Sequence, residues 1–284
     1  MSISIVLPAK NESEGLRRTL PALRAAFPDA EIIVVNDGST DDTAQVASTL
    51  GAKVLSSPYS MGNGAAIKRG ARAARGDVIV FMDADGQHDP AQIERLLEPL
   101  THGYDMVVGA RNASGQASVG RGAANALYNR LASWMTGHKV LDLTSGFRAV
   151  RAAKFREFLY LLPNGFSYPT TSTMAFFRSA YPVTYVPVEV ARRVGTQSHI
   201  RPLRDGVRFL LIIFKIATLY SPLKLFAPTS VLFFLLGLGH YAWTFYAYGR
   251  FTNMSALMLS AAVIVFLIGL ISEQVTALTY KHSD

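Results

Sequence analysis

Residues 77–90 read DVIVFMDADGQHDP, and two features of this stretch decide the fold. Val78 to Met82 form an unbroken apolar run, rich in β-branched and aromatic residues, of the length of a strand buried on both faces. The run stops abruptly in Asp83-Ala84-Asp85-Gly86, which is acidic and turn-forming. Strands of this kind belong to parallel sheets covered by helices, where ligands bind beyond the carboxyl ends of the strands. Asp83 and Asp85 would stand there one residue apart, as hard oxygen ligands for Mg2+ or Mn2+ shared with a diphosphate. An isolated Asp-x-Asp is more often a solvated turn or a helix cap. Its place at the end of an apolar strand, ahead of Gln87 and His88, favours the ligand reading.

Working outward, the same alternation recurs. SISIVLP precedes a helix from about Glu12 to Ala26, EIIVVND one from about Asp41 to Leu50, and AKVLSS one from Gly62 to Ala74; DVIVFMD is followed by a helix over Pro90 to Leu100 and then by YDMVVGA. The pattern predicts an α/β fold with a mostly parallel central sheet. Polar turns after the first, second and fourth strands, PAKNE, NDGSTD and DADGQH, would then converge on one edge. Asp37 could accept hydrogen bonds from a base or ribose, or could make an Asx-turn or cap; Asp41 is better read as a cap. Gly62, Gly64 and Gly70 in MGNGAAIKRG lack the Gly-Lys-Ser/Thr ending of a Walker loop, and are expected to permit a tight helix start near a diphosphate.

The 284 residues carry 28 Lys and Arg against 20 Asp and Glu, a net charge of +8, with 17% charged and no cysteine. The missing cysteines exclude disulfides, thiolate metal sites and a Cys nucleophile. Between Lys224 and Arg250 no charged side chain occurs, a run that as a helix would span roughly 37 Å. A second uncharged run, SALMLSAAVIVFLIGLIS, reaches Glu273, so a transmembrane hairpin is expected at about 225–248 and 253–276, within 225–280. Aromatic residues from Tyr241 to Tyr248 suit an interfacial belt. Basic residues from Arg192 to Lys224 precede the hairpin and Lys281 follows it, whereas its loop carries Arg250 alone. The bias puts the N-terminal part and the C-terminus in the cytoplasm, in a multi-pass protein of the cell membrane. MSISIVLP reads as structure and not as a leader. The segment 201–224, basic and apolar by turns, reads as an interfacial amphipathic helix, with an ordinary core helix as the alternative. The positive charge therefore has a membrane explanation and needs no nucleic acid.

VNDGSTDDT, DADGQHDP and PAKNE together resemble family-2 glycosyltransferases of the GT-A fold, over roughly residues 2–198, which sets a catalytic domain at about 1–200. With the hairpin, the chain resembles the polyprenyl-phosphate type, such as dolichyl-phosphate mannose synthase and undecaprenyl-phosphate glucosyltransferases. The resemblance implies a nucleotide-sugar donor (UDP- or GDP-hexose), a polyprenyl-phosphate acceptor and inversion, from an α-linked donor to a β-linked lipid phosphosugar. It places Pro8, Ala9, Asn11, Glu12 and Asp37 on the nucleoside, with Asp83, Asp85 and Gln87 on the metal and sugar diphosphate. Arg111, Arg121 and Asn125 resemble the acceptor-phosphate residues, and DLTSGFRAV places Asp142, Ser145 and Arg148 near the acceptor. The family's Arg-x-x-Gly-x-Ser-Lys loop is matched imperfectly by Arg192 to His199, which leaves leaving-group assistance to Arg193.

The chemistry makes its own demand. A phosphomonoester is already anionic near neutral pH and needs positioning cations more than a general base. Arginines such as Arg111 then matter more than a catalytic carboxylate, and Asp142 is expected to orient an arginine in preference to taking a proton. A hydroxyl-bearing lipid such as a diacylglycerol would instead require Asp142 as base, and a non-catalytic binding partner on the same scaffold is the third possibility. A homo-oligomer is compatible with the sequence and not demanded by it.

Overall fold

The structure, a computed structural model, describes residues 1–111, 119–165, 167–191, 214, 218 and 220–280, with backbone alone at 119–125, 279 and 280. The chain divides into two units, Met1–Arg201 and Pro202–Asp284.

The first unit is a seven-stranded sheet flanked by helices. In chain order it comprises β1 (Ile3–Ala9), α1 (Ser13–Ala26), β2 (Glu31–Asn36), α2 (Thr43–Thr49), β3 (Lys53–Ser56), α3 (Asn63–Ala73), β4 (Val78–Phe81), α4 (Ile93–Thr101), β5 (Met106–Arg111), α5 (Val119–Thr136), β6 (Arg148–Arg151), α6 (Ala152–Arg156), α7 (Tyr168–Arg178) and β7 (Val183–Val188). The strand order is β3-β2-β1-β4-β6-β5-β7. All neighbours pair parallel except β6, which runs antiparallel to both β4 and β5. The mostly parallel sheet follows the sequence expectation, and β6 is the exception. Alternate strand residues serve opposite faces. Ile5, Leu7, Ile32 and Val34 pack with Leu16, Leu20 and Leu23 of α1, all 0–1% exposed, each burial contributing about 2 kcal/mol. On the other face Phe81 meets Phe155 and Tyr168, with ring centroids 4.8 and 6.1 Å apart. Because β1, β2, β4 and β5 point the same way, Ala9, Asn36, Phe81 and Arg111 end at one edge of the sheet, where the polar turns begin.

The second unit contains α8 (Pro222–Tyr248) and α9 (Asn253–Tyr280), antiparallel partners joined by a short turn in which Gly249 adopts φ +64°. Both are long and apolar enough to cross a membrane. Their outward faces expose Leu232, Leu235, Leu236, Ile264, Leu267 and Ile271. They touch where side chains are small: a Cβ on Gly269 would lie 2.7 Å from that of Phe226. Most of the segment expected as an interfacial helix, 201–224, lies outside the described residues.

Candidate active site

A cleft of about 400 Å3 opens at the carboxyl edge of the sheet, lined by Pro8, Ala9, Lys10, Glu12, Asp37, Ser60, Gly62, Asn63, Ala66, Asp83, Ala84 and Asp85. Three turns expected to converge do so here. Each acid has a defined setting. Burial acts to raise the pKa of Asp37, but three donors outweigh it: Ser60 Oγ at 2.8 Å and the backbone N–H groups of Met61 and Gly62 at 2.7 and 2.9 Å, with Lys10 nearby, hold the carboxyl below its usual range. Asp37 therefore shapes the 60–62 wall of the cleft. About one of its four acceptor positions is left for a ligand. Asp85 is 7% exposed and accepts the Gln87 N–H at 3.1 Å, which aims its carboxylate at the strand end. Gly15 allows α1 to approach closely, since a Cβ there would fall 2.2 Å from the Ala84 carbonyl oxygen.

Asp83 lies toward a second cluster. Gly146 sits against its carboxylate, so that a Cβ at 146 would be 3.5 Å from Oδ2, and its charge is felt at Arg111. Arg111, the last residue of β5, donates from Nε and Nη2 to the two oxygens of Asp142 at 2.7 and 2.9 Å, and from Nη2 to Thr144 Oγ1 at 2.6 Å. Asp142 also accepts from the backbone N–H groups of Arg111, Thr144 and Ser145, and from Thr144 Oγ1. Burial acts to raise the Asp142 pKa, yet the Arg111 hydrogen bonds and charge hold it below the usual carboxylate range. The same hydrogen bonds raise that of Arg111. Six donors on two oxygens leave this carboxylate ionised and occupied, a poor general base. Arg111 is a cation of fixed direction, its side chain 36% exposed.

Several expected residues stand elsewhere. Asn11, at φ +56°, does not line the cleft; its Oδ1 accepts the Thr40 N–H at 2.8 Å and ties the β1 turn to the β2 turn. Gln87 faces another depression, and its Nε2 donates to the Ala191 carbonyl at 3.2 Å, so its side chain is not grouped with Asp83 and Asp85. The helix expected to start tightly near a diphosphate does start at the cleft, where Gly62 and Asn63 line it; just inside, Gly64 and Ala65 donate their N–H groups to the Gly165 and Asn164 carbonyls, and Gly62 and Gly64 admit that loop. Arg148 is corrected. It is fully buried and donates from Nη1 to Pro169 O, Ser172 Oγ and Thr173 Oγ1, all within 3.0 Å, and from Nη2 to Ser145 O, out of reach of any acceptor. The Arg121 and Asn125 side chains and all of Arg193 lie outside the described residues.

Lys10, Ser60 and Asn63 line the cleft and were not singled out from the sequence; only Lys10, inside the first polar turn, carried a signal. His88, buried and stacked on Phe147 with centroids 4.5 Å apart, has its pKa pushed down to about 4 by burial and by the Arg111 charge, against the pull of Asp85.

A mostly parallel sheet with paired carboxylates at a strand end, beside a polar cleft, defines a nucleotide-sugar-binding domain of the GT-A class. The glycosyl transferase family 2 model matches residues 4–159, and a GtrB C-terminal hairpin model matches residues 221–278. The chain belongs to glycosyl transferase family 2 and is a glycosyltransferase. It is 34% identical to an undecaprenyl-phosphate mannosyltransferase of Micrococcus luteus, over 68% of this chain and 85% of that protein. It is 28% identical to the glycosyltransferase AglJ of Haloferax volcanii, over 84% and 79%. With an undecaprenyl-phosphate 4-deoxy-4-formamido-L-arabinose transferase of Pseudomonas fluorescens it shares 36% identity over 61% of this chain, spanning a little over half (56%) of that relative. Glucosyl-3-phosphoglycerate synthase from Mycobacterium tuberculosis, solved with Mn2+, UDP and glucosyl-3-phosphoglycerate, superposes with a TM-score of 0.57 at 27% identity, covering 73% of this chain and 75% of that one.

Proposed function

We propose that the protein transfers a hexose from a nucleotide sugar to a polyprenyl phosphate, with inversion at the anomeric carbon. The observation that carries this reading is the Arg111–Asp142 pair: beside the cleft the structure offers a fixed cation and an acid with its lone pairs occupied. That suits an acceptor that is already ionised. A phosphomonoester oxygen attacks the anomeric carbon as the bond to the nucleoside diphosphate breaks; no proton need be taken from the nucleophile. Arg111 orients the acceptor phosphate and offsets repulsion between two anions, and Asp142 positions Arg111. The lipid acceptor is also supported by the names of the Micrococcus and Pseudomonas relatives.

Pro8, Ala9, Glu12 and Asp37 would border the nucleoside. Asp83 and Asp85, two carboxylates with no soft donor between them, fit a hard divalent cation, Mg2+ or Mn2+. Bound there, it would neutralise charge on the departing diphosphate. The Mn2+ and UDP in the mycobacterial structure support that reading and favour UDP over GDP. We place the protein in the cell membrane through α8 and α9, with the catalytic unit and C-terminus cytoplasmic, on the charge asymmetry around the hairpin.

Purified protein in lipid, given Mn2+ or Mg2+, undecaprenyl phosphate and a panel of UDP- and GDP-hexoses, should yield a polyprenyl phosphohexose by mass spectrometry. Transfer to diacylglycerol but never to the phosphate would refute the acceptor.

A further inference from the structure

Helix α5 and the loop after it lead from Arg111 toward Asp142, and they are unusual for the surface of a catalytic domain. Tyr128, Ala132 and Met135 face the core, at most 4% exposed. A second apolar stripe faces out: Leu127 is 65% exposed and Trp134, seven residues on and so on the same side, 52%. Leu141, 47% exposed, is tethered to the helix by Asn129, whose Nδ2 donates to the Leu141 carbonyl at 2.6 Å. Asn129 stands on the opposite flank of the helix, so Leu141 is not grouped with that stripe; the outward face consists of Leu127 and Trp134, two large apolar side chains two turns apart on one side.

The charges identify what docks. From Asn112 to Leu141 no Asp or Glu occurs; the described cations of the stretch, Arg130 and Lys139, are exposed, and Arg130, three residues after Leu127 and four before Trp134, shares their side of the helix. Apolar insertion with flanking cations and no acid is the chemistry of an anionic lipid surface; a protein partner would leave those cations wanting acidic complements. Trp favours the headgroup level, where its ring is half in hydrocarbon. We propose that the outward face of α5, through Leu127 and Trp134, rests in the headgroup layer of an anionic membrane, and so sets the acceptor side of the site at lipid depth. The inference rests on the lipid-phosphate reading above and deepens it: the catalytic unit meets the bilayer through its own surface, beside the residues assigned to the acceptor.

The chain has two tryptophans, and Trp243 lies in α8, so Trp243→Phe leaves Trp134 as the sole reporter in the full-length protein. In nanodiscs of phosphatidylcholine and phosphatidylglycerol, replacing part of the lipid with one carrying a nitroxide at carbon 5 should lower Trp134 emission at least about twofold, while acrylamide quenches weakly. Free quenching by acrylamide with no effect of the nitroxide overturns the proposal. So does protection from both, which would mean that protein, such as a second copy of this chain, covers the face. This readout needs no turnover: quenching without transfer to polyprenyl phosphate refutes the acceptor and keeps the docking. In an active enzyme, Leu127→Ser with Trp134→Ser should raise the KM for long-chain lipid phosphate severalfold, leaving that for a short soluble phosphate unchanged. Equal effects on both acceptors overturn the link to lipid depth.

Discussion

Replacing Asp142 with Asn probes the acceptor side most sharply. Asn keeps the size and one carbonyl oxygen but turns the other oxygen into an NH2 group and removes the charge. One edge of the guanidinium would then meet a donor where Nε now finds Oδ2 at 2.7 Å. At an effective dielectric near 20, unit charges about 4 Å apart interact by about 4 kcal/mol. With the Arg111 side chain 36% exposed, solvent screening reduces this to about 2 kcal/mol. Spent on misdirecting Arg111, that is roughly thirtyfold in catalytic efficiency. We expect the loss in the KM for lipid phosphate, with the donor KM unmoved, in steady-state assays that vary each substrate separately. A general base would instead show in kcat, by roughly 10²–10⁴-fold. A kcat collapse with unchanged lipid KM would refute the reasoning. Stability gives a second readout. The folded pKa of Asp142 lies below the ordinary 3.8, so its pairing stabilises the protein above that value and is lost as pH falls through the depressed one. The urea-stability gap between wild type and Asp142→Asn should therefore be widest near neutrality and close below about pH 4.

Asp85→Ala should cost metal-dependent transfer at least about 10²-fold, with membrane insertion and circular dichroism unchanged; normal turnover would sink the metal assignment. Gly64→Ala would set a Cβ 1.9 Å from the Pro163 carbonyl oxygen, backbone against backbone, and should cost about 2 kcal/mol or more by denaturant midpoint. An unchanged midpoint would mean that the 163–165 loop does not pack there. Arg148→Ala should lower stability by about 3 kcal/mol, because it removes a fully buried side chain and orphans the Ser145 carbonyl, while the KM for lipid phosphate in the folded fraction stays as in wild type. A raised lipid KM at full stability would return Arg148 to the acceptor.

The parts of the site that local rules govern were legible in the sequence. Parallel strands must end at one edge, so the turns carrying Pro8, Asp37 and Asp83 could be placed together from pattern alone. The partners of a side chain could not. Asn11 and Gln87 sit in the expected turns, but each spends its amide on a distant backbone group, Thr40 in one case and Ala191 in the other. The glycines at 62 and 64 mark a tight helix start beside the cleft, but the N–H groups of Gly64 and Ala65 go to a loop about 100 residues downstream, which no local pattern foretold. Strand β6 escaped notice because its four residues, RAVR, begin and end in arginine and show no apolar run. Arg148 gave no sign of burial either: an arginine, here without a carboxylate ion-pair partner among the described residues, is the last residue that composition would put inside.

The polar contacts of the hairpin bear on how the protein reaches the bilayer. Glu273 of α9 accepts the Leu223 N–H at 3.2 Å, an acid set at the amino end of the neighbouring helix, while Ser230 Oγ donates to the Ala262 carbonyl at 2.8 Å and His240 Nδ1 meets Ser255 Oγ at 3.0 Å. These clasps lie at the two ends and the middle of the pair. These three groups are thus answered by the other helix, while Thr229 and Thr244 bond to carbonyls of their own helix. The two helices can then leave the translocation machinery as one preformed body, and the order of biogenesis would be hairpin closure first and release into lipid second.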